Sequence, residues 1–267
     1  MNFSKEAPIG IFDSGLGGLT VAKAVSEALP NEDIIYYGDT ARVPYGIKSQ
    51  QTIRNYSIEI SRFLQAKGVK MIIIACNTAS AAAYSGVCEA VGDIPVLNVI
   101  DAGTISAIRS GKKHIGVIGT LGTVGSGAYE LSLKNENEEL IVKSKACPLL
   151  VPLAEEGWTD NAIAKQTIDI YLKPFRNNGV EALILGCTHY PLFKQSILEY
   201  FDGKPIEIID SAEAVAEMAT GRLSELDLLN DSGKKGELTC YVSDRPQRFR
   251  ELAERFIGRE IDIKTAD

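Results

Sequence analysis

The chain has 267 residues, 45% of them hydrophobic and 24% charged, the composition of an ordinary globular protein with room for one large or two small domains. Its formal net charge is −7, and no Lys/Arg cluster of the kind that grips nucleic acid occurs; the Lys112-Lys113 and Lys234-Lys235 pairs read as solvated loop charges. Apolar runs stop far short of the ~20 residues that cross a bilayer, no apolar signal region follows Met1, and five cysteines at scattered spacings fit reduced cytosolic thiols better than a disulfide framework.

In chain order, Ile9-Gly10-Ile11-Phe12 reads as a short buried strand. A glycine-rich turn, Asp13-Ser14-Gly15-Leu16-Gly17-Gly18, leads into an amphipathic helix that runs to about Leu29 and stops at Pro30-Asn31. Asp33–Asp39 is the next strand. A loop of turn formers, Thr40 to Gly46, follows it, with Pro44-Tyr45-Gly46 at its end. From Ser49 to Lys67 the apolar residues Ile53, Tyr56, Ile60, Phe63 and Leu64 fall on one helical face. Then Met71-Ile72-Ile73-Ile74-Ala75 forms a buried strand ending in Cys76-Asn77-Thr78, and an alanine-rich helix carries the chain to about Val91. Alternating strand and helix is the signature of a parallel sheet covered on both faces.

The unit then recurs. Ile9–Gly17 matches Ile115–Thr123 at an offset of 106, and Val43-Pro44 can be set against Val151-Pro152 at 108. The Cys76 strand matches Ala182–Gly186 and Cys187 at 111, and Pro95–Ala102 matches Pro205–Ala212 at 110. Order is kept and the offsets drift by only five, which argues for two copies of one α/β unit. Beyond Asp210 a helix to about Leu229, a polar turn at 231–236, a strand at 237–242 and a helix at 245–256 are expected to complete the first copy. The predicted layout is therefore α/β, with two pseudo-symmetric domains of parallel-type sheets flanked by helices. Residues 1–98 plus 210–267 form the first domain and 99–209 the second, with the active site in the cleft between them.

Two strands thus each deliver a cysteine to a carboxyl end, where open α/β sheets bind ligands. Cys76 and Cys187 both stand where a strand feeds a helix, so the helix dipole is expected to favour the thiolate. A thiolate facing a thiol can take a proton from one side of a carbon while the other side receives one, which is racemisation by acid–base catalysis. Asp13 ends the strand beside Cys76. His189 follows Cys187 by two residues, and Glu155 or Glu156 lies in the same half. Ser14, Asn77, Thr78, Thr120, Thr123 and Thr188 follow strand ends, where hydroxyls, amides and helix-start N–H groups hold anions without Lys or Arg.

Rival readings are less economical. Cys88, Cys147 and Cys240 lack such companions and read as packing residues, and His114 as a surface-loop histidine. Gly15, Gly17 and Gly18 do not complete a dinucleotide fingerprint, because position 20 is Thr, and the run Gly119–Gly127 lacks the lysine of a P-loop. Two histidines and no C-x-x-C argue against a zinc site. A Cys187–His189 thiol hydrolase would leave Cys76 and the duplication without a purpose.

The motifs Phe12-Asp13-Ser14-Gly15-Leu16-Gly17-Gly18, Pro44-Tyr45-Gly46, Ala75-Cys76-Asn77-Thr78-Ala79 and Gly186-Cys187-Thr188-His189-Tyr190-Pro191 together resemble the glutamate racemases of the aspartate/glutamate racemase family, over essentially the full length. The resemblance implies cofactor-independent interconversion of L- and D-glutamate, with no pyridoxal phosphate and no metal, to supply D-glutamate for peptidoglycan. It implies that Cys76 acts on the Cα proton of the D enantiomer, assisted by Asp13. Cys187 would act on that of the L enantiomer, assisted by His189 with Glu155. Substrate contacts would come from Asp13, Ser14, Pro44, Tyr45, Gly46, Asn77, Thr78, Thr188 and His189, and the enzyme would be a homodimer. A racemase of aspartate or another small acid, and a binding protein that kept the cleft without turnover, are the alternatives.

Overall fold

The computed structural model describes residues 3–244, 246–257 and 261–266. The first unit runs β1 (Ile9–Asp13), α1 (Leu19–Ala28), β2 (Ile34–Gly38), α2 (Gln50–Ala66), β3 (Met71–Ile74), α3 (Asn77–Val91), β4 (Val96–Asn98) and α4 (Val99–Arg109). The second runs β5 (His114–Gly119), α5 (Leu121–Gly125), α6 (Ala128–Glu136), β6 (Ile141–Ala146), α7 (Leu150–Glu155), α8 (Ala162–Asn177), β7 (Ala182–Gly186), α9 (Lys194–Tyr200) and β8 (Glu207–Asp210). The chain then returns through α10 (Ser211–Glu225), β9 (Leu238–Val242), α11 (Pro246–Ile257) and β10 (Asp262–Thr265).

Every strand pairing is parallel among the described residues. One sheet has the order β10-β9-β2-β1-β3-β4, and the other β6-β5-β7-β8. The second order repeats the β2-β1-β3-β4 core of the first, so the offsets read in the sequence correspond to strands at equivalent places. β1, β3 and β7 are buried along their whole length, as strands covered on both faces must be. Each sheet carries an apolar cluster on either face. α10 packs on both α1 and α4, which ties the returning segment to the first unit.

Strand order reverses direction between β1 and β3 in one sheet and between β5 and β7 in the other. Crevices open at such switch points, beyond the carboxyl ends of the strands. Asp13 and Cys76 stand at the first crevice, and Thr120 and Cys187 at the second.

Three expectations need correction. The helix after Asp210 ends at Glu225, not near Leu229. Asp227 takes a left-handed φ of 52°, its N–H bonds Ser224 O, and Leu228 N–H bonds Leu223 O, a Schellman stop that uses Asp in place of Gly. His114 is the half-buried first residue of β5, not a loop residue, and its N–H bonds Glu181 Oε2 at 3.0 Å. The helix expected after Cys187 opens with a 3₁₀ turn, Tyr190–Phe193, that runs directly into α9, so the α-helical part starts only at Lys194. No helix of the described residues is long and apolar enough to cross a membrane.

Candidate active site

One cavity of about 380 Å³ lies between the two sheets' carboxyl edges. It is lined by Ser14, Pro44, Tyr45, Gly46, Cys76, Asn77, Thr78, Thr120, Glu155, Cys187, Thr188 and His189, which brings nearly all the expected residues to one place. Asp13 and Thr123 stand just behind this wall, both buried. The sequence reading missed the apolar mouth, formed by Val43, Ile47, Leu121, Pro148, Val151 and Pro152. The paired Val-Pro segments of the repeat were the signal for part of it. Among the described residues, no Lys or Arg lines the cavity.

Cys76 is the N-cap of α3, and its Sγ accepts from Ala79 N–H at 3.4 Å and donates to Ser14 Oγ at 3.7 Å. Asp13 is fixed through Oδ2, which accepts from Gly15 N–H at 3.1 Å and Gly18 N–H at 3.0 Å, while Oδ1 has no hydrogen-bond partner. On the opposite wall Cys187 Sγ lies 3.9 Å from His189 Nδ1, and His189 Nε2 lies 3.4 Å from Glu155 Oε1. Glu155 is half-buried and faces the cavity, whereas Glu156 is exposed at the end of α7. Of the two acids, Glu155 is therefore the one beside the histidine.

The walls touch at several points. Thr78 Oγ1 meets Thr120 Oγ1 at 2.9 Å and Thr123 Oγ1 at 3.1 Å, which gathers three hydroxyls from both units. Thr20 Oγ1 donates to Thr188 O at 3.2 Å. A Cβ on Gly17 would come within 2.3 Å of Thr188 Oγ1 and 2.5 Å of His189 Nδ1, so only glycine allows this approach. Tyr45 turns its ring inward and donates to Asp39 Oδ2 at 2.5 Å. Asp39, fully buried, also receives Arg42 Nε at 2.7 Å and Ser243 Oγ at 2.9 Å. This network anchors the Pro44-Tyr45-Gly46 loop and leaves its backbone at the cavity.

Residues 15–219 match the family described as Asp/Glu/hydantoin racemase. The chain belongs to this family. It is 51% identical to the glutamate racemase of Chlorobaculum tepidum, over 97% of this chain and 95% of that one. Among solved structures it resembles glutamate racemase from Francisella tularensis in complex with D-glutamate, with a TM-score of 0.92 and 41% identity over 98% of both chains. It also resembles glutamate racemase from Thermus thermophilus in complex with β-chloro-D-alanine, with a TM-score of 0.89 and 41% identity over 99% of this chain and 98% of that one.

The cysteines of this racemase-family cleft do not behave as the dipole argument expected. Burial, reinforced by Asp13, pushes the Cys76 thiol up to about 12, and the N–H of Ala79 and the Ser14 hydroxyl offset only part of this. Burial raises Cys187 further, with the charges of Cys76 and Asp13 acting in the same direction. Desolvation at these buried strand ends outweighs the few hydrogen bonds that favour the thiolates. Burial likewise raises the Asp13 carboxyl, against the nearby His189 and three backbone N–H groups.

Away from the cavity, burial also pushes Cys147 and Cys240 up to about 12. Each of these groups holds its proton more tightly folded than unfolded, so its stabilising contribution is complete below the ordinary value of 9.0 and is lost as pH rises toward 12. The thermal unfolding midpoint is therefore expected to fall steadily above about pH 9. Cys240→Ala should show a shallower fall than wild type across the same interval. Equal slopes would mean that Cys240 titrates normally in the folded protein.

Proposed function

We propose that the chain is a glutamate racemase that uses Cys76 and Cys187 as its two bases. The observation that carries this reading is the pair of thiols delivered by equivalent strand ends of two repeated units to the walls of a single cavity. The resemblances in sequence and in fold point the same way. In the L-to-D direction the Cys187 thiolate takes the Cα proton, and the C–H electron pair spreads into the α-carboxylate. Cys76 S–H then protonates the opposite face and becomes the thiolate. Cys187 ends protonated and Cys76 ionised, which is the starting state for the reverse reaction. Because the thiols share the cavity, they titrate as a coupled pair.

His189, held between Cys187 and Glu155, is suited to accept the Cys187 proton and pass charge toward the carboxylate. Asp13 plays the corresponding part for Cys76. The threonine hydroxyls, Ser14, Asn77 and the backbone of Tyr45-Gly46 hold the two substrate carboxylates. We further propose domain boundaries near 98 and 210, where α4 and α10 begin immediately after β4 and β8. The proposed setting is the cytoplasm, as a homodimer that supplies D-glutamate for peptidoglycan.

The test is to incubate chelator-treated protein with L-glutamate in D₂O, following optical activity by circular dichroism and the α-position by NMR. Loss of optical activity with deuterium at Cα, without added cofactor, is the expected result. Inert glutamate with active aspartate would replace the substrate. Inactivity toward both would leave a binding protein.

A further inference from the structure

Tyr129 stands behind both cysteine-bearing strand ends. It comes from α6 in the second unit and is 2% exposed. Its hydroxyl donates to Asn77 Oδ1 at 2.7 Å, across the boundary between the units, and lies 3.4 Å from Val99 O. Its ring is seated against two glycines: a Cβ on Gly186, the residue before Cys187, would come within 3.1 Å of Tyr129 Cε2, and one on Gly103 within 3.1 Å of the hydroxyl. Asn77, the residue after Cys76, is 2% exposed and lines the cavity, yet its Nδ2 has no hydrogen-bond partner. Buried amide donors are almost always satisfied, so this one waits for an acceptor that enters the cleft.

The amide's orientation decides which acceptor. A 2.7 Å separation matches O–H donating to a carbonyl oxygen better than an amide N–H donating to a phenol. Burial raises the Tyr129 phenol well above its ordinary value, so it keeps the proton it donates. With Oδ1 occupied by Tyr129, the free end of the amide is the donor.

We propose that Tyr129 is a positioning residue: by holding Asn77 Oδ1 it turns Asn77 Nδ2 toward a carboxylate of the bound amino acid. This rests on the racemase reading above and adds a residue to it. Tyr129→Phe keeps the ring against Gly186 and removes the hydroxyl, with its contacts to Asn77, Val99 and Ser211. Its KM for both glutamate enantiomers is expected to rise by roughly tenfold, with kcat changed far less, the size of one lost hydrogen bond. In an Asn77→Ala background the same substitution should add nothing, because its effect passes through the amide. Asn77→Asp should raise KM beyond Asn77→Ala, since Tyr129 would hold one oxygen and aim the other at the substrate carboxylate.

Unchanged KM in Tyr129→Phe, or losses that multiply in the double variant, would overturn the proposal. Should Tyr129→Phe fail to fold by circular dichroism, equal KM values in Asn77→Asp and Asn77→Ala would overturn it instead. The side-chain amide NMR signal of Asn77, titrated with D-glutamate, separates the two levels of failure. A wild type that does not racemise glutamate sinks the functional reading. A wild type that racemises while this signal stays still sinks only the role of Tyr129.

Discussion

Cys76→Ala and Cys187→Ala are each expected to lower racemisation of glutamate by about 10³-fold or more while leaving the fold intact, near the upper range for loss of a positioned acid–base group. The expected loss is this large because nothing beside either thiol can replace it. Among the described residues, the other acidic or basic side chains at the cavity wall, His189 and Glu155, lie on the Cys187 side, and Asp13 sits behind Cys76 with one oxygen already held by two N–H groups. The two variants should also differ from each other. With Cys187 gone, any remaining α-deuterium exchange in D₂O should be confined to D-glutamate, the enantiomer assigned to Cys76. With Cys76 gone it should be confined to L-glutamate. Cys88→Ala, Cys147→Ala and Cys240→Ala should keep turnover, because none of the three lines the cavity. Near-normal racemisation by either active-site variant would sink the two-base mechanism, and exchange in the wrong enantiomer would reverse the assignment of the two thiols.

The legible parts of this molecule are those whose cause is local. An all-apolar strand followed by Cys-Asn-Thr or Cys-Thr-His states both its burial and its end, so β3 and β7 with their cysteines could be placed from sequence. The repeat then set the two strands at equivalent positions. β6 escaped because it is an edge strand with a largely exposed, polar face, IVKSKA, that carries no apolar alternation. β10, DIKT, is also an edge strand and is hidden for the same reason. Partners far apart in the chain were equally invisible. Asp39 reads as the last residue of a strand until Ser243, 204 positions away, is found bonded to it. Nothing local singles out Tyr129, whose hydroxyl is accepted by Asn77, 52 positions earlier. The preference of the cysteines for the neutral thiol was misjudged because helix dipoles show in a sequence and desolvation does not.

Lys70 is the strongest case of a long-range role, and its removal is expected to cost about 3–5 kcal/mol of stability, the range for stranding one member of a buried ion pair. It precedes β3 with a fully buried side chain, and its Nζ lies 2.5 Å from Oε2 of Glu32, itself 2% exposed. The same ammonium donates to Leu228 O at 2.8 Å and to Lys5 O. Glu32 Oε1 in turn accepts Asn230 N–H at 2.8 Å. One buried pair therefore joins the N-terminal segment, the starts of β2 and β3, and the chain leaving α10 toward β9. Lys70→Ala would leave a carboxylate and two carbonyl oxygens buried without their cation. Denaturant unfolding should show the loss as a lower midpoint. Lys70→Met combined with Glu32→Gln should recover a large part of it, since that pair of changes removes both charges. The pair lies at the amino ends of the strands, opposite the cavity, so kcat and KM at 25 °C should stay near wild type in both proteins. A single Lys70→Ala variant that lost less than about 1 kcal/mol, as exposed pairs do, would show that the ammonium is not what fastens the returning segment to the first sheet.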